Sequence, residues 1–197
     1  MKSILALALA LNLGSAFAQD KPMPETYKVD STATKIAWEG KKVTGKHNGT
    51  INAKDGSVTM TGDLITAGEI NVDMKTITVL DIPATDEYNA KLKGHLSNAD
   101  FFDVEKYPTS KLVITGSEKS GKNLKVKGNL TMIGQTNPIE FIAAVTKSGD
   151  TMNVKTDVVI DRTKWGLKYG SGDFFKGLGD KAIHNEFTLS INLSAKK

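Results

Sequence analysis

The sequence predicts an all-β fold: an antiparallel meander of about eight strands, able to close into a barrel, with one α-helix beside it. Three observations predict this. Apolar and polar residues alternate strictly over most of the chain, as in strands with one wet and one buried face. Pairs such as Ser120-Gly121, which tolerate positive φ, punctuate the runs as hairpins require. One segment alone switches to helical spacing. Eight strands can close a sheet on itself and so remove its edges.

Taken in order, the first 18 residues stand apart. Met1-Lys2-Ser3 is a short basic start, Ile4 to Leu13 an apolar run broken only by Asn12, and Ala16-Phe17-Ala18 a small-x-small cleavage site. Residues 1–18 therefore read as a secretory signal peptide of bacterial type, with the processed chain beginning near Gln19 in the periplasm or outside the cell. The run is shorter than the roughly 20 residues that cross a bilayer. No cysteine follows the cleavage site to carry a lipid, and no later segment is long and apolar enough to span. Residues 19–26, with two prolines, read as a flexible leader, and residues 27–197 as one domain.

Ile36, Trp38 and Gly40 open the alternation. Asp55-Gly56 is expected to turn the chain into Val58, Met60, Gly62 and Leu64, and Ile70, Val72 and Met74 follow. Residues 84–98 then carry Tyr88, Leu92, His95 and Leu96 as a helical stripe. Thr85 is the expected cap, with Asp86 and Glu87 in the first turn, where the helix dipole favours acid. Leu112 and Ile114 resume the alternation. Next come Leu124 to Met132, Ile139 to Val145, Val154 to Ile160 and Phe187 to Leu193, with Ser120-Gly121, Thr136-Asn137-Pro138 and Ser148-Gly149-Asp150 as breaks.

Composition narrows the function. A formal net charge of +4 is scattered, without the clustered cations and interleaved aromatics of a nucleic-acid surface. It reads as a solvated, soluble exterior, with a weak pull toward anionic headgroups as the lesser alternative. The absence of cysteine removes disulfides, thiolate metal sites and cysteine nucleophiles. His47, His95 and His184 have no metal spacing, there is no G-x-S-x-G elbow, and Gly170-Ser171-Gly172 lacks the strand and helix of a phosphate loop. No enzyme, cofactor or metal is expected. The inward set is mostly Val, Leu, Ile and Met, with small residues at Gly62, Gly128 and Ala143. Small residues can leave a channel, and glycine can equally mark a bend, so the pattern leaves an open and a filled barrel on equal terms.

Four stretches carry a resemblance: "HLSNADFFDVEKYPTSKL" (95–112), "VKGNLTMIGQTNPIEF" (126–141), "VVIDRTKWGLKYG" (158–170) and "FTLSINLSA" (187–195). Together, from about Tyr27 to Ala195, they resemble the YceI family of bacterial polyisoprenoid-binding proteins. The resemblance implies a lipocalin-like eight-stranded barrel with a helix beside it, a long apolar channel for a polyisoprenoid or similar amphiphile, a periplasmic setting and no catalysis. The segment from Gly170 to Asp180 departs from the pattern at a position where a barrel mouth could be.

The candidate lining is then Trp38, Phe101, Phe102, Leu130, Met132, Phe141, Val158, Ile160 and Trp165. His95, one turn beyond Leu92, could face the mouth. Phe101 and Phe102 are neighbours in an extended segment, so one ring is expected to enter the barrel while the other pins the helix to it. Arg162, the only arginine, could meet a ligand headgroup, but a structural pairing with a carboxylate such as Asp161 is the favoured expectation. The rival reading is a filled barrel whose Phe174-Phe175 loop contacts a protein partner or a second copy as a homodimer.

Overall fold

The alternating runs become nine antiparallel strands in a computed structural model that describes residues 21–197; the signal-peptide reading of residues 1–18 lies outside the described residues. The strands are β1 (Pro24–Val29), β2 (Lys35–Lys42), β3 (Gly45–Thr61), β4 (Leu64–Asp73), β5 (Thr109–Ser120), β6 (Asn123–Met132), β7 (Gln135–Ser148), β8 (Thr151–Asp161) and β9 (Ile183–Lys196). A helix, α1 (Glu87–Ser97), lies in the long connection from β4 to β5. Pairing runs β3-β2-β9-β8-β7-β6-β5-β4, and β4 returns onto β3, which closes an eight-stranded barrel.

The ninth strand is half of a split one. β1 pairs with the second half of β3, Tyr27 opposite Val58, and with the end of β9, Val29 opposite Ala195. β2 fills the same gap further along, Ile36 lying opposite both Ile51 and Ile191. The interruption between them is held by Asp30, whose Oδ1 accepts from the Thr32 N–H (3.1 Å), the Thr32 hydroxyl (2.8 Å) and the Ala33 N–H (3.0 Å). These donors, Thr32 first and then Ala33, lower the Asp30 carboxyl to a pKa of about 2.

Several expected boundaries move. Pro24 to Thr26 belong to β1, not to a leader. Asp55-Gly56 is not a turn; it sits inside β3, where the register with β4 shifts between Ala53 and Asp55. The turn from β3 to β4 is Gly62-Asp63, with Gly62 at φ 62°, so one apparent run spans two strands. Thr136-Asn137-Pro138 lies within β7; the turn from β6 is Ile133-Gly134, both at positive φ, as the mirror-image hairpin turn requires. A β-branched residue there hides the turn from sequence inspection, and the Ile133 side chain packs against the Met132 cluster. Asp86, not Thr85, caps α1: its Oδ1 accepts from the Tyr88 N–H at 2.9 Å.

One end of the barrel is filled. Tyr27, Met60, Leu124, Val126, Met152 and Ala195 pack there with other inward residues, and Ala143 is fully buried among them. Gly128 opens no channel. A Cβ on it would lie 2.7 Å from the Val113 carbonyl oxygen, so glycine there admits the backbone of β5.

At the other end, residues 77–80 follow β4 as a strap along β3. Thr78 N–H donates to the Thr50 carbonyl and Leu80 N–H to the Asn48 carbonyl, each at 2.9 Å. Gly49 makes the approach possible, since a Cβ there would lie 1.8 Å from the Thr78 oxygen and 2.8 Å from Trp38 Cε2. Gly49→Ala is therefore expected to lower stability by about 1–3 kcal/mol in urea unfolding. Gly40→Ala, whose Cβ meets nothing within 4 Å, should cost clearly less.

Asp30 sets an acid response. Its folded pKa is depressed, so its contribution is complete above the ordinary aspartate value of about 3.9 and is lost as pH falls through about 2. Asp30→Asn should remove this contribution at neutral pH and flatten the fall of thermal midpoint across that acid window.

Candidate functional site

Alternation on β2, β5, β6, β7 and β9 aims Trp38, Leu112, Leu130, Phe141, Phe187 and Leu189 inward, yet each is only partly buried. They face open space. A cavity of about 240 Å³, lined almost wholly by carbon, lies between the filled end and α1. Two packed clusters flank it. Ile36, Ile51, Met74, Ile77 and Val104 form one; Met132, Val158, Ile160 and Trp165 form the other.

Phe102 touches both clusters, and its ring meets Phe187 edge-on at 6.4 Å between centroids. Its neighbour Phe101 stacks edge-on with His95 at 4.9 Å and lies 5.4 Å from Tyr169, while His95 and Tyr169 are 4.7 Å apart. Both phenylalanines line the cavity. Phe102 enters the barrel; Phe101 clamps the end of α1 to the loop after β8. The turn that follows them is tight, with Asp103 at φ 44° and its carbonyl accepting from the Lys106 and Tyr107 N–H groups.

The helix behaves as a cover. None of its residues is buried, although Leu92 and Leu96 line the cavity. A helix packed on a filled core would bury such a stripe. Its start is tied to the strap, where Asn89 Nδ2 donates to the carbonyls of Val79 (3.1 Å) and Ile82 (2.7 Å). His95 Nε2 lies 3.3 Å from Asp100 Oδ2 at its other end.

Nine of the candidate residues stand on the cavity wall: Trp38, Phe101, Phe102, Leu130, Met132 and Phe141, with Val158, Ile160 and Arg162. The Trp38 indole donates to the Thr78 carbonyl at 3.0 Å, which orients its ring. Two candidates stand elsewhere. Trp165, 1% exposed, lies behind the wall and donates from Nε1 to the Leu130 carbonyl at 2.9 Å. His95 belongs to the aromatic clamp outside the wall.

Arg162 corrects an expectation. Its partners are carbonyl oxygens, not a carboxylate: Nε donates to His184 (3.1 Å), Nη2 to Ile183 (3.2 Å) and Nη1 to Leu167. Burial pulls its pKa below the ordinary value, opposed by the charge of nearby Asp161. Arg162 thus ties the end of β8 to the start of β9. Asp161 instead caps the following turn, accepting from the Thr163 N–H at 3.0 Å and its hydroxyl at 2.6 Å.

Sequence inspection left Leu112, Phe187, Leu189 and Ile191 out of the lining, though alternation aimed them inward; only the register around the ring sets their level along the barrel. Ile77 reaches the cavity from the strap, which has no periodic signal. The open end is rimmed by Lys41, Lys42, His47, His184 and Glu186.

Comparison with known proteins agrees with this architecture. The family model described as the YceI-like domain matches residues 27–195. A UPF0312 protein of Pseudomonas putida strain GB-1 is 33% identical over 152 residues, covering 75% of this chain and 74% of the relative. Protein YceI of Escherichia coli strain UMN026 is 30% identical over 158 residues, covering 76% and 75%. Burkholderia cenocepacia BcnA shares the fold at TM-score 0.66 and 18% identity, over 85% of this chain and 99% of its own. A polyisoprenoid binding domain from Saccharophagus degradans shares it at TM-score 0.62 and 12% identity, over 86% and 97%. The chain is accordingly a member of the YceI-like domain family.

Proposed function

We propose that the protein is a periplasmic or secreted, non-enzymatic carrier that holds a long polyisoprenoid or similar amphiphile in the barrel cavity, with the polar head at the rim. The carbon-lined cavity under a helix with no buried residue carries this reading. Such a wall recognises a chain by removing it from water, at about 0.8 kcal/mol for each CH₂, without specific polar contacts. Selectivity then rests on cavity length and on the groups at the rim. The wall offers no nucleophile with an adjacent base, so holding the chain is the chemistry these residues supply. The fold shared with the Saccharophagus degradans polyisoprenoid binding domain supports the ligand class, and the signal-peptide pattern supports export. No cofactor is proposed besides the bound isoprenoid or fatty chain.

Native mass spectrometry of the exported protein, followed by organic extraction, tests the reading. A stoichiometric apolar mass is expected. A clean apo mass, with no uptake of added prenyl or fatty chains, would overturn it in favour of a filled interaction module.

Two variants refine the test. Leu189→Trp puts bulk into the cavity and should weaken uptake of a buried-environment dye at least about tenfold, with unfolding still cooperative. Phe101→Ala should loosen the clamp on α1 and speed dye release in stopped-flow displacement. Phe102→Ala should mainly cost stability, about 3 kcal/mol.

A further inference from the structure

Two elements meet at one lip of the cavity: the turn between β2 and β3, and the loop from Gly166 to Ala182. Val43 N–H donates to the Ala182 carbonyl at 3.1 Å and Ile183 N–H to the Gly170 carbonyl at 2.8 Å. The loop leaves the cavity wall at Leu167 and rejoins it at Ile183. It is held from within. Ser171 is fully buried, and its hydroxyl donates to Asn185 Oδ1 at 2.7 Å. Its carbonyl accepts from the N–H groups of Phe174 (3.2 Å) and Phe175 (3.0 Å), and Asn185 holds the Asp173 carboxylate.

This polar anchor keeps Phe174 and Phe175 outward, 48% and 49% exposed, where a slack loop would fold them onto the barrel. Val43 and Tyr169 are also exposed in these two elements. Lys168 Nζ sits 4.7 Å from the Phe174 ring centre, and Lys42, Lys176 and Lys181 are exposed in the same two elements. The adjoining segment from Asp86 to Glu105 is rich in acid, and its His95 and Phe101 pack on Tyr169 of the loop.

We infer that the lip carrying Phe174 and Phe175 docks on the surface of a bilayer containing anionic phospholipid. The two rings enter the interface while the lysines meet headgroup phosphates, the division of labour of interfacial segments. Charge complementarity selects the partner: the exposed Lys42, Lys168, Lys176 and Lys181, in the two elements that carry the rings, suit anionic headgroups. Continuity with the cavity supplies the use, because a long apolar chain could pass between bilayer and barrel without crossing water; that use rests on the carrier reading, whereas the docking does not. Two rings on a projecting loop are a poor match for the broad flat face of a protein interface.

The test is co-sedimentation of residues 19–197, which contain every strand of the closed barrel, with two kinds of vesicle: phosphatidylethanolamine mixed with phosphatidylglycerol, and phosphatidylcholine alone. The wild type should sediment with the anionic vesicles, less so as salt is raised. The double variant Phe174→Ser, Phe175→Ser should lose at least about tenfold in vesicle affinity while keeping the wild-type melting midpoint. Lys176→Glu with Lys181→Glu should lose binding to the anionic vesicles only.

No sedimentation with either vesicle, or equal sedimentation of wild type and phenylalanine variant, would overturn the docking. So would a loop-dependent dimer in sedimentation velocity without vesicle binding, which would make the lip a protein surface. Uptake of an apolar dye in vesicle-free buffer is measured alongside. Its loss with vesicle binding intact would count against the carrier reading alone.

Discussion

The pairing of β4 back onto β3 is the constraint on which the rest of the molecule depends. It turns a meander into a ring, removes the free edges that an open sheet would present, and sets every strand's level along the barrel. A slip of one residue at that seam would carry Ile70 and Val72 from the cavity wall to solvent. The long strand β3 makes the closure possible. One half pairs with β1 and the other with β2, so two short strands complete a ring that neither could close. Asp30 holds the break between them with three hydrogen bonds.

Closure divides the interior into two regimes. At the end where β1 and β9 meet, large side chains such as Tyr27, Met60 and Met152 fill the section, and the barrel is an ordinary core. Toward α1 the inward residues stop short of one another. The cover over that gap is a helix attached at its ends, by Asn89 to the strap and by the His95–Phe101–Tyr169 cluster to the loop after β8. A cover attached at its rim leaves the space beneath it open. Backbone proximity, not small side chains, decides where glycine is needed: Gly49 beneath the strap and Gly128 beside β5 are both sites where a Cβ would strike a carbonyl oxygen.

Arg162 shows the limit of reasoning from residue type. A single arginine near a candidate channel invites a headgroup or a carboxylate partner, yet three carbonyl oxygens from the next segment take its donors. Hydrogen bonds to charge are worth more than neutral ones, and here they hold the two ends of the rim loop together. Trp165 is similar. It was expected on the channel wall, but it lies behind the wall with its indole donating to the Leu130 carbonyl.

What the sequence determined by itself is the set of inward faces, because side-chain direction along a strand has a period of two and needs no partner to define it. Ile36, Val126, Phe141, Val158 and Leu193 all point where alternation placed them. The helix stripe of Leu92 and Leu96 was legible in the same way. Only the tertiary structure decided which inward residues face each other and which face empty space, since that depends on register between strands distant in sequence. It also decided the turns at Ile133-Gly134 and Gly62-Asp63 and the strap beneath α1. There, hydrogen bonds to a neighbouring strand, and not local preference, choose the backbone conformation.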